Sequence, residues 1–118
     1  MSARMTPLDM AKRTIDKIKE SKHMNIMCEW REELIIEQAE ESTRRYEKGS
    51  MRSDFEGIPI VLKDQIKIKG LTVRYGMPFP ENQPCSEDAA VVERLRNAGM
   101  VIIGLVNMHQ VEKFHARF

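Results

Sequence analysis

Lys63 is the side chain whose type and position point most directly to chemistry. It follows a short apolar block rich in β-branched residues, Gly57–Leu62, which predicts a strand buried on both faces. A lysine held in an apolar site loses the hydration of its ammonium form, so the neutral amine can act as a base near neutral pH. Active sites in α/β sheets gather at the carboxyl ends of strands. The alternative is a lysine that points to water and pairs with Asp64, as strand-end lysines commonly do.

The other reactive residue types do not form recognisable sites. Cys28 and Cys85 stand 57 positions apart, and neither has a second cysteine or histidine at metal-ligand spacing. The scattered histidines are His23, His109 and His115. The serines weighed as nucleophiles, none of them in a Gly-x-Ser-x-Gly turn, are Ser42, Ser50, Ser53 and Ser86. The cysteine and histidine spacing predicts no metal site, and the absence of Gly-x-Gly-x-x-Gly leaves the βαβ-like order as weak evidence for a nucleotide site, so we predict no metal and no cofactor.

Composition indicates one modest soluble domain. The chain has 118 residues, of which 42% are hydrophobic and 31% charged, and a net charge of +1. That charge is too small to argue for nucleic acid or a membrane surface. Met1–Arg13 lacks the apolar stretch of a signal peptide, and no run is long enough to span a membrane. With two widely separated cysteines, a reduced cytoplasmic protein fits best.

Residues 1–50 form the predicted N-terminal helical segment. Thr6, Pro7 and Asp9 have the order of a helix cap, a first-turn proline and a first-turn carboxylate. A second amphipathic helix is predicted from about Met27 to Lys48, with Gly49 as its stop. The glutamates along this helix are typical of a solvated face.

Residues 51–110 contain short apolar runs that are typical of strands. In residues 111–118 the apolar residues follow neither a helical nor a strand spacing. A strand is predicted over Phe55–Asp64, strand or hairpin over Ile66–Tyr75, and a loop over Met77–Pro84. Ser86 is the expected cap of a third helix that buries Val91, Val92, Leu95 and Ala98 and ends at Gly99. Another apolar strand follows over Met100–Gly104. This βαβ-like order predicts an α/β fold, with N-terminal helices followed by part of a mixed sheet with flanking helices.

Three blocks resemble the amidase-signature family. Phe55–Ile66 resembles its Gly-Ile-Pro-x-x-x-Lys-Asp segment, and Glu87–Gly104 resembles its Asp-Ala-x-Val-Val-x-x-Leu-x-x-Ala-Gly-Ala segment. Asn107-Met108 follows where the family carries Asn-Met. The resemblance covers about Arg44–Gln110, which corresponds to the N-terminal part of a longer enzyme domain.

This resemblance implies hydrolysis of carboxamide C–N bonds by a serine nucleophile, a second serine with a cis peptide bond, and a lysine. Only the lysine maps here, onto Lys63, where it would take a proton through the bridging serine and return it to the leaving amine. Asn107 and Met108 are the implied substrate-binding residues, and His109 is a candidate pocket residue. Both serines belong to a Gly-Ser-rich signature that the sequence does not contain, so we expect the 118 residues alone to be inactive.

Two departures from the family pattern bear on this interpretation. Leu105 and Val106 stand where the family usually has lysine and threonine, which removes polar lining near the strand end. Residues 111–118 do not follow the small-residue continuation, which suggests a divergent tail from a truncated or shifted reading frame. The sheet is then expected to keep open edges, and the chain to be marginally stable or prone to aggregation.

The sequence leaves two other functions open. One is a non-catalytic interaction module that pairs its open strands with a partner chain, and the other is the amidase subunit of a glutamyl-tRNA amidotransferase. The expected partners are a small-molecule or acyl amide substrate and a complementing chain or second copy, with no nucleic acid. The sequence does not specify the substrate or a membrane attachment.

Overall fold

The structure, a computed structural model, describes residues 5–24, 26–73 and 84–107. The helices and strands in chain order are α1 (Pro7–Glu20), a 3-10 turn (Lys22–Met24), β1 (Met27–Trp30), α2 (Glu32–Glu47), β2 (Pro59–Lys63), α3 (Ala90–Asn97) and β3 (Val101–Val106). None of the helices in this described part is long and apolar enough to cross a membrane.

Helix α1 begins where the sequence predicts it. The Thr6 hydroxyl accepts a hydrogen bond from the Asp9 amide at 3.1 Å, and the Asp9 carboxylate accepts one from the Thr6 amide at 3.1 Å. Pro7 occupies the first turn, where its missing donor costs nothing. The reciprocal cap satisfies two amides that would otherwise lack partners, so the local sequence alone defines this helix start.

The predicted helix from about Met27 is wrong over its first five residues. Residues 27–30 form β1, which pairs antiparallel with β3, and α2 begins only at Glu32. Trp30 lies level with Gly104, where a Cβ atom would lie 2.9 Å from the Trp30 Cβ. The missing side chain lets β1 approach β3 closely, and this long-range pairing overrides the helical pattern.

The sheet has the order β1-β3-β2 and is mixed. β2 runs parallel to β3, with α3 between them in the chain, which confirms the predicted βαβ-like unit and the α/β fold. Every residue of β3 is buried. The register places Lys63 level with Val106, so both parallel strands end at the same edge of the sheet.

Core side chains cover both faces of β3. On one face, Val101 and Ile103 pack with the buried residues of α1 and α2. On the other, Ile102 and Leu105 pack with Val92 of α3 and with the segment after β2. Val101, Ile102 and Ile103 alternate between the faces, as expected of a sheet held between two layers, and a register shift between Ile102 and Gly104 places Leu105 on the same face as Ile102.

Helix α3 differs from its prediction in two respects. Its N-cap is Ala89 rather than Ser86, because the Ala89 amide donates to the Lys67 carbonyl at 2.8 Å and Ala89 itself is extended, so the helix begins only at Ala90. Val91, expected in the core, is 44% exposed, since the short helix turns mainly Val92 inward. Gly99 ends the helix at φ 87°, as predicted.

The predicted strand or hairpin over Ile66–Tyr75 is wrong for the described residues 66–73, which form turns. Ile68, Leu71 and Val73 are nevertheless buried in the α3-side core. The Gly70 amide donates to the Cys85 carbonyl and the Cys85 amide to the Leu71 carbonyl, each at 2.9 Å. Most of the loop predicted over 77–84, and all of the tail 111–118, lies outside the described residues.

Candidate active site

Lys63 is the last residue of β2, as the sequence predicts. A tight turn follows it, in which the Gln65 and Ile66 amides donate to the Lys63 carbonyl at 2.7 and 3.1 Å. The Asp64 amide donates to the Val106 carbonyl at 3.2 Å and joins the turn to β3. Backbone bonds therefore hold Lys63 at the carboxyl edge of the sheet.

Asn107 lies at the same edge, one residue beyond the end of β3. Its amide donates to the Ile26 carbonyl at 2.8 Å, so it is anchored at the start of β1, and its side chain is half-buried. The structure thus brings the ends that carry Lys63 and Asn107 onto neighbouring strands. Met108 and His109, the other residues proposed for this site, lie outside the described residues.

The prediction that β2 is buried on both faces is wrong, and so is the expected water-free setting of Lys63. Leu62 points into the core, whereas Val61 and Lys63 are exposed. Successive side chains of a strand point to opposite faces, and the α1 and α2 layer covers β3 without fully covering β2. Desolvation of the ammonium group therefore gives no support to a catalytic role for Lys63.

Leu105 and Val106 are buried within β3 rather than lining a groove. Leu105 is fully buried and Val106 is 5% exposed, and Leu105 joins the α3-side core. The apolar residues that replace the family's lysine and threonine therefore strengthen the central strand. They add no polar group to the edge that carries Lys63.

A buried carboxylate, missed by the sequence analysis, anchors the start of β2. Glu56 accepts hydrogen bonds from Arg45 at 2.8 and 3.0 Å, from the Ser42 hydroxyl at 2.6 Å and from the Arg52 amide at 3.0 Å. Burial alone would raise the pKa of Glu56, but these hydrogen bonds lower it to about 2. The only sequence signal was an acidic residue beside Gly57, which by itself does not identify its partners.

This carboxylate lies at the opposite end of β2 from Lys63. The Gly57 amide next to it donates to the Gly99 carbonyl at 2.8 Å, which ties the entry to β2 to the end of α3. The network thereby fixes the start of β2 against the start of β3, ahead of the register shift between Ile60 and Val61. Its role toward Lys63 is positional, since the groups at its centre are fully engaged with one another.

The serines weighed as nucleophiles serve structural contacts or lie at the surface. Ser42 is fully buried against Glu56, and the Ser53 hydroxyl donates to the Ala98 carbonyl at 2.6 Å. The Ser50 hydroxyl donates to the Arg45 carbonyl at 3.4 Å, and Ser86 is exposed. None of these contacts places a hydroxyl beside Lys63.

A second polar cluster completes the central strand where β1 no longer pairs with it. The Gln38 side-chain amide donates to the Ile102 carbonyl at 3.0 Å and accepts from the Ile102 amide at 2.9 Å. Arg96 donates to Gln38 at 3.1 Å and to Asp88 at 2.7 and 3.3 Å. Gln38 thus substitutes for a neighbouring strand, a role that a helical spacing pattern does not predict.

Comparison with known proteins identifies the family of this fold. The Amidase family profile matches residues 9–115. A mitochondrial glutamyl-tRNA(Gln) amidotransferase subunit from Rattus norvegicus is 30% identical over 106 residues, which are 90% of this chain and 20% of that protein. A glutamyl-tRNA(Gln) amidotransferase subunit from Endomicrobium trichonymphae is 31% identical over 110 residues, covering 92% of this chain and 23% of that protein.

A solved amidase structure has the same fold over most of the chain. It superposes with a TM-score of 0.77 at 27% identity, covering 90% of this chain and 24% of its own. The chain spans about a fifth of the length of the curated relatives it matches. Because the family profile extends over nearly all of the sequence, from 9 to 115, this chain belongs to the Amidase family.

Proposed function

We propose that this chain contributes Lys63 to an enzyme that hydrolyses carboxamide C–N bonds. The observation that carries the proposal is that a family lysine motif ends a parallel strand at the same sheet edge as Asn107. Carboxyl ends of parallel strands are where α/β enzymes assemble their sites. The family match supports amide chemistry, and the strand position supports Lys63 as the residue that takes part in it.

In the proposed mechanism, Lys63 moves protons and does not attack the substrate. Its amine takes a proton from the nucleophilic serine through a bridging serine in a cis peptide, so that the serine oxygen attacks the amide carbon. The proton then passes to the nitrogen of the leaving amine as the C–N bond breaks. Water hydrolyses the resulting ester and restores the serine. Asn107 and Met108 would contact the substrate beside this centre.

We further propose that the 118 residues by themselves do not turn over amides. Ser42, Ser50 and Ser53 are engaged in structural contacts and Ser86 is exposed, so none of these four described hydroxyls is held beside Lys63 as its nucleophile. The serines would come from a complementing domain packed on this sheet edge, and such packing would also remove water from the exposed Lys63. Cytoplasmic location stays a prediction, which fits two cysteines that form no disulfide within the described residues.

A chimaeric enzyme tests the role of Lys63. Residues 9–107 of this chain replace the matching segment of an active Amidase family relative, and ammonia release from hexanamide and benzamide is measured. We expect Lys63→Ala to lower kcat/KM by at least about 100-fold, the usual scale for a lost acid–base group. Lys67→Ala, which removes an exposed lysine four residues away, is the matched control and should leave kcat/KM unchanged.

Three results would contradict the proposal. A Lys63→Ala chimaera with full activity would favour the non-catalytic interaction module, in which the chain only completes a sheet. Equal losses of kcat/KM for Lys63→Ala and Lys67→Ala would indicate a general effect of altering the surface rather than the loss of a catalytic group. Amide turnover by the 118 residues alone would show that a nucleophile is present among them.

A second candidate function is the amidase subunit of an amidotransferase. The observation in its favour is that relatives with about 30% identity over 90% of the chain are glutamyl-tRNA(Gln) amidotransferase subunits. Supplying the chimaera with the companion subunits of such a relative separates the two functions. Transfer of nitrogen to glutamyl-tRNA would support the amidotransferase function, and ammonia release to solution alone would support the free-standing amidase.

A further inference from the structure

A cavity of about 790 Å³ lies between the carboxyl half of α1, the 3-10 turn after it, and β1. It lies away from Lys63, because β1 and β2 flank β3 on opposite sides and Lys63 belongs to β2, although Ile26 of the cavity accepts the backbone hydrogen bond of Asn107. Its volume is in the range of sites that hold small organic ligands. Neither the family lysine nor Asn107 lines it.

The floor of the cavity is apolar and held in place by the core. Ile18, Met27 and Trp30 are half-buried, and each packs with its inner side against the core of α1, α2 and β3. Ile26 joins them where the chain enters β1. Water against such a surface lacks hydrogen-bond partners, so an apolar ligand group gains free energy by replacing it.

The rim of the cavity is positive. Lys17, Lys19 and Lys22 are exposed along it, and none of the described lining residues is acidic. Lys19 forms an ion pair with Glu32 at 2.9 Å. Lysines in a last helical turn also complement the helix dipole, but Lys22 lies beyond α1, so the dipole does not account for the whole rim.

We propose that this cavity binds a free, single-chain organic anion, an alkyl carboxylate of medium length. Its chain would lie on Met27 and Trp30, and its carboxylate would meet the ammonium groups of Lys17 and Lys22. The floor disfavours strongly hydrated polyanions such as nucleotides, because the apolar side chains of Ile18 and Met27 would strip water from a base or a sugar without replacing its hydrogen bonds. The positive rim disfavours a cationic amphiphile of the same length.

Trp30 provides a direct assay, because it is the only tryptophan in the chain. Decanoate is titrated into the full 118-residue protein below its micelle concentration, and Trp30 emission is recorded. We expect a saturable blue shift, since the alkyl chain replaces water beside the indole. In Lys17→Gln/Lys22→Gln, the Kd for decanoate should rise roughly tenfold, from the loss of two exposed charge contacts.

The control is Lys12→Gln/Lys67→Gln, which removes the same net charge from exposed lysines outside the cavity. It should bind decanoate as the unmodified protein does. Circular dichroism of both double variants serves as the check on folding. We expect both to keep their helices, because all four lysines are exposed.

Any of four results would overturn the proposal. These are a non-saturable response, equal Kd values for the two double variants, binding of decyltrimethylammonium or decanol as tight as that of decanoate, and a shift seen only with phosphatidylglycerol vesicles. The last would indicate a membrane surface rather than a free ligand. Because the readout is Trp30 emission, these outcomes are independent of whether the protein hydrolyses amides.

Discussion

Glu56 shows how one side chain organises its surroundings. Its side chain is only 1% exposed, and its carboxylate receives four hydrogen bonds, two of them from Arg45. A buried charge is tolerated when a partner and further donors satisfy it, and removing one member leaves the others unpaired. Glu56 therefore joins α2 to the turn before β2 through a single group, and it lies against Gly99 at the end of α3.

We expect this residue to make stability pH-dependent in acid. The pKa of Glu56 is about 2 in the folded chain and 4.5 as its ordinary value, so its contribution is complete above about 4.5 and is lost as the pH falls towards 2. The full difference between these two pKa values corresponds to about 3 kcal/mol of unfolding free energy. Urea unfolding from pH 7 to pH 3 measures the larger part of this loss of unfolding free energy, and Glu56→Gln should give a flatter curve.

Asp88, whose pKa is also lowered by Arg96 and Lys69 against the opposing effect of burial, contributes in the same direction. The difference between unmodified protein and Glu56→Gln therefore isolates the part due to Glu56. Glu40→Gln, at an exposed position of α2, is the control and should leave the pH dependence unchanged. Parallel curves for Glu56→Gln and unmodified protein would contradict the assignment.

At the scale of elements, two helices end at glycines that face different surroundings. Gly49 after α2 has φ 72° with open space around it, whereas Gly99 after α3 has φ 87° and lies against Glu56. Both backbone conformations are costly for other residues, but only one position also lacks room for a side chain. Comparing alanine substitutions at these two glycines therefore separates the free-energy cost of the backbone conformation from the cost of packing a side chain.

Gly99→Ala should destabilise the protein clearly more than Gly49→Ala. The conformational cost is about 1 kcal/mol at each site. At Gly99 the added Cβ would also lie 2.5 Å from the Glu56 Cδ, which forces the buried network to move. We expect a total loss of about 3 kcal/mol for Gly99→Ala, measured by urea unfolding. Equal losses of unfolding free energy in the two variants would show that Glu56 and its partners move aside at no measurable cost.

At the scale of the whole molecule, the sheet has an exposed apolar border. Within the described residues β2 pairs only with β3, and Phe55, Ile58 and Val61 along this border are 56%, 40% and 45% exposed. An open strand edge beside exposed apolar side chains is a site for association with another chain. The proposed complementing domain would be one occupant, and a second copy of this chain would be another.

We expect the purified chain to self-associate through this border and Val61→Lys to weaken the association. A lysine on an edge strand opposes pairing because the new contact would have to bury its charge. Val91→Lys is the matched control, since Val91 is 44% exposed but lies on α3. Sedimentation velocity over a range of concentrations measures both, and equal effects of the two variants would contradict a role for β2.

Local signals in the sequence determined the start of α1, the glycine ends of α2 and α3, the buried strand β3 and the strand-end position of Lys63. Each depends on neighbouring residues, as when Thr6 and Asp9 cap one another, and so is readable without the fold. Tertiary structure alone decided that residues 27–30 form a strand and that Lys63 is exposed. It also decided that Glu56 is the buried ionic centre. These outcomes depend on partners distant in the chain, Gly104, the α1 and α2 layer and Arg45, whose approach no local pattern encodes.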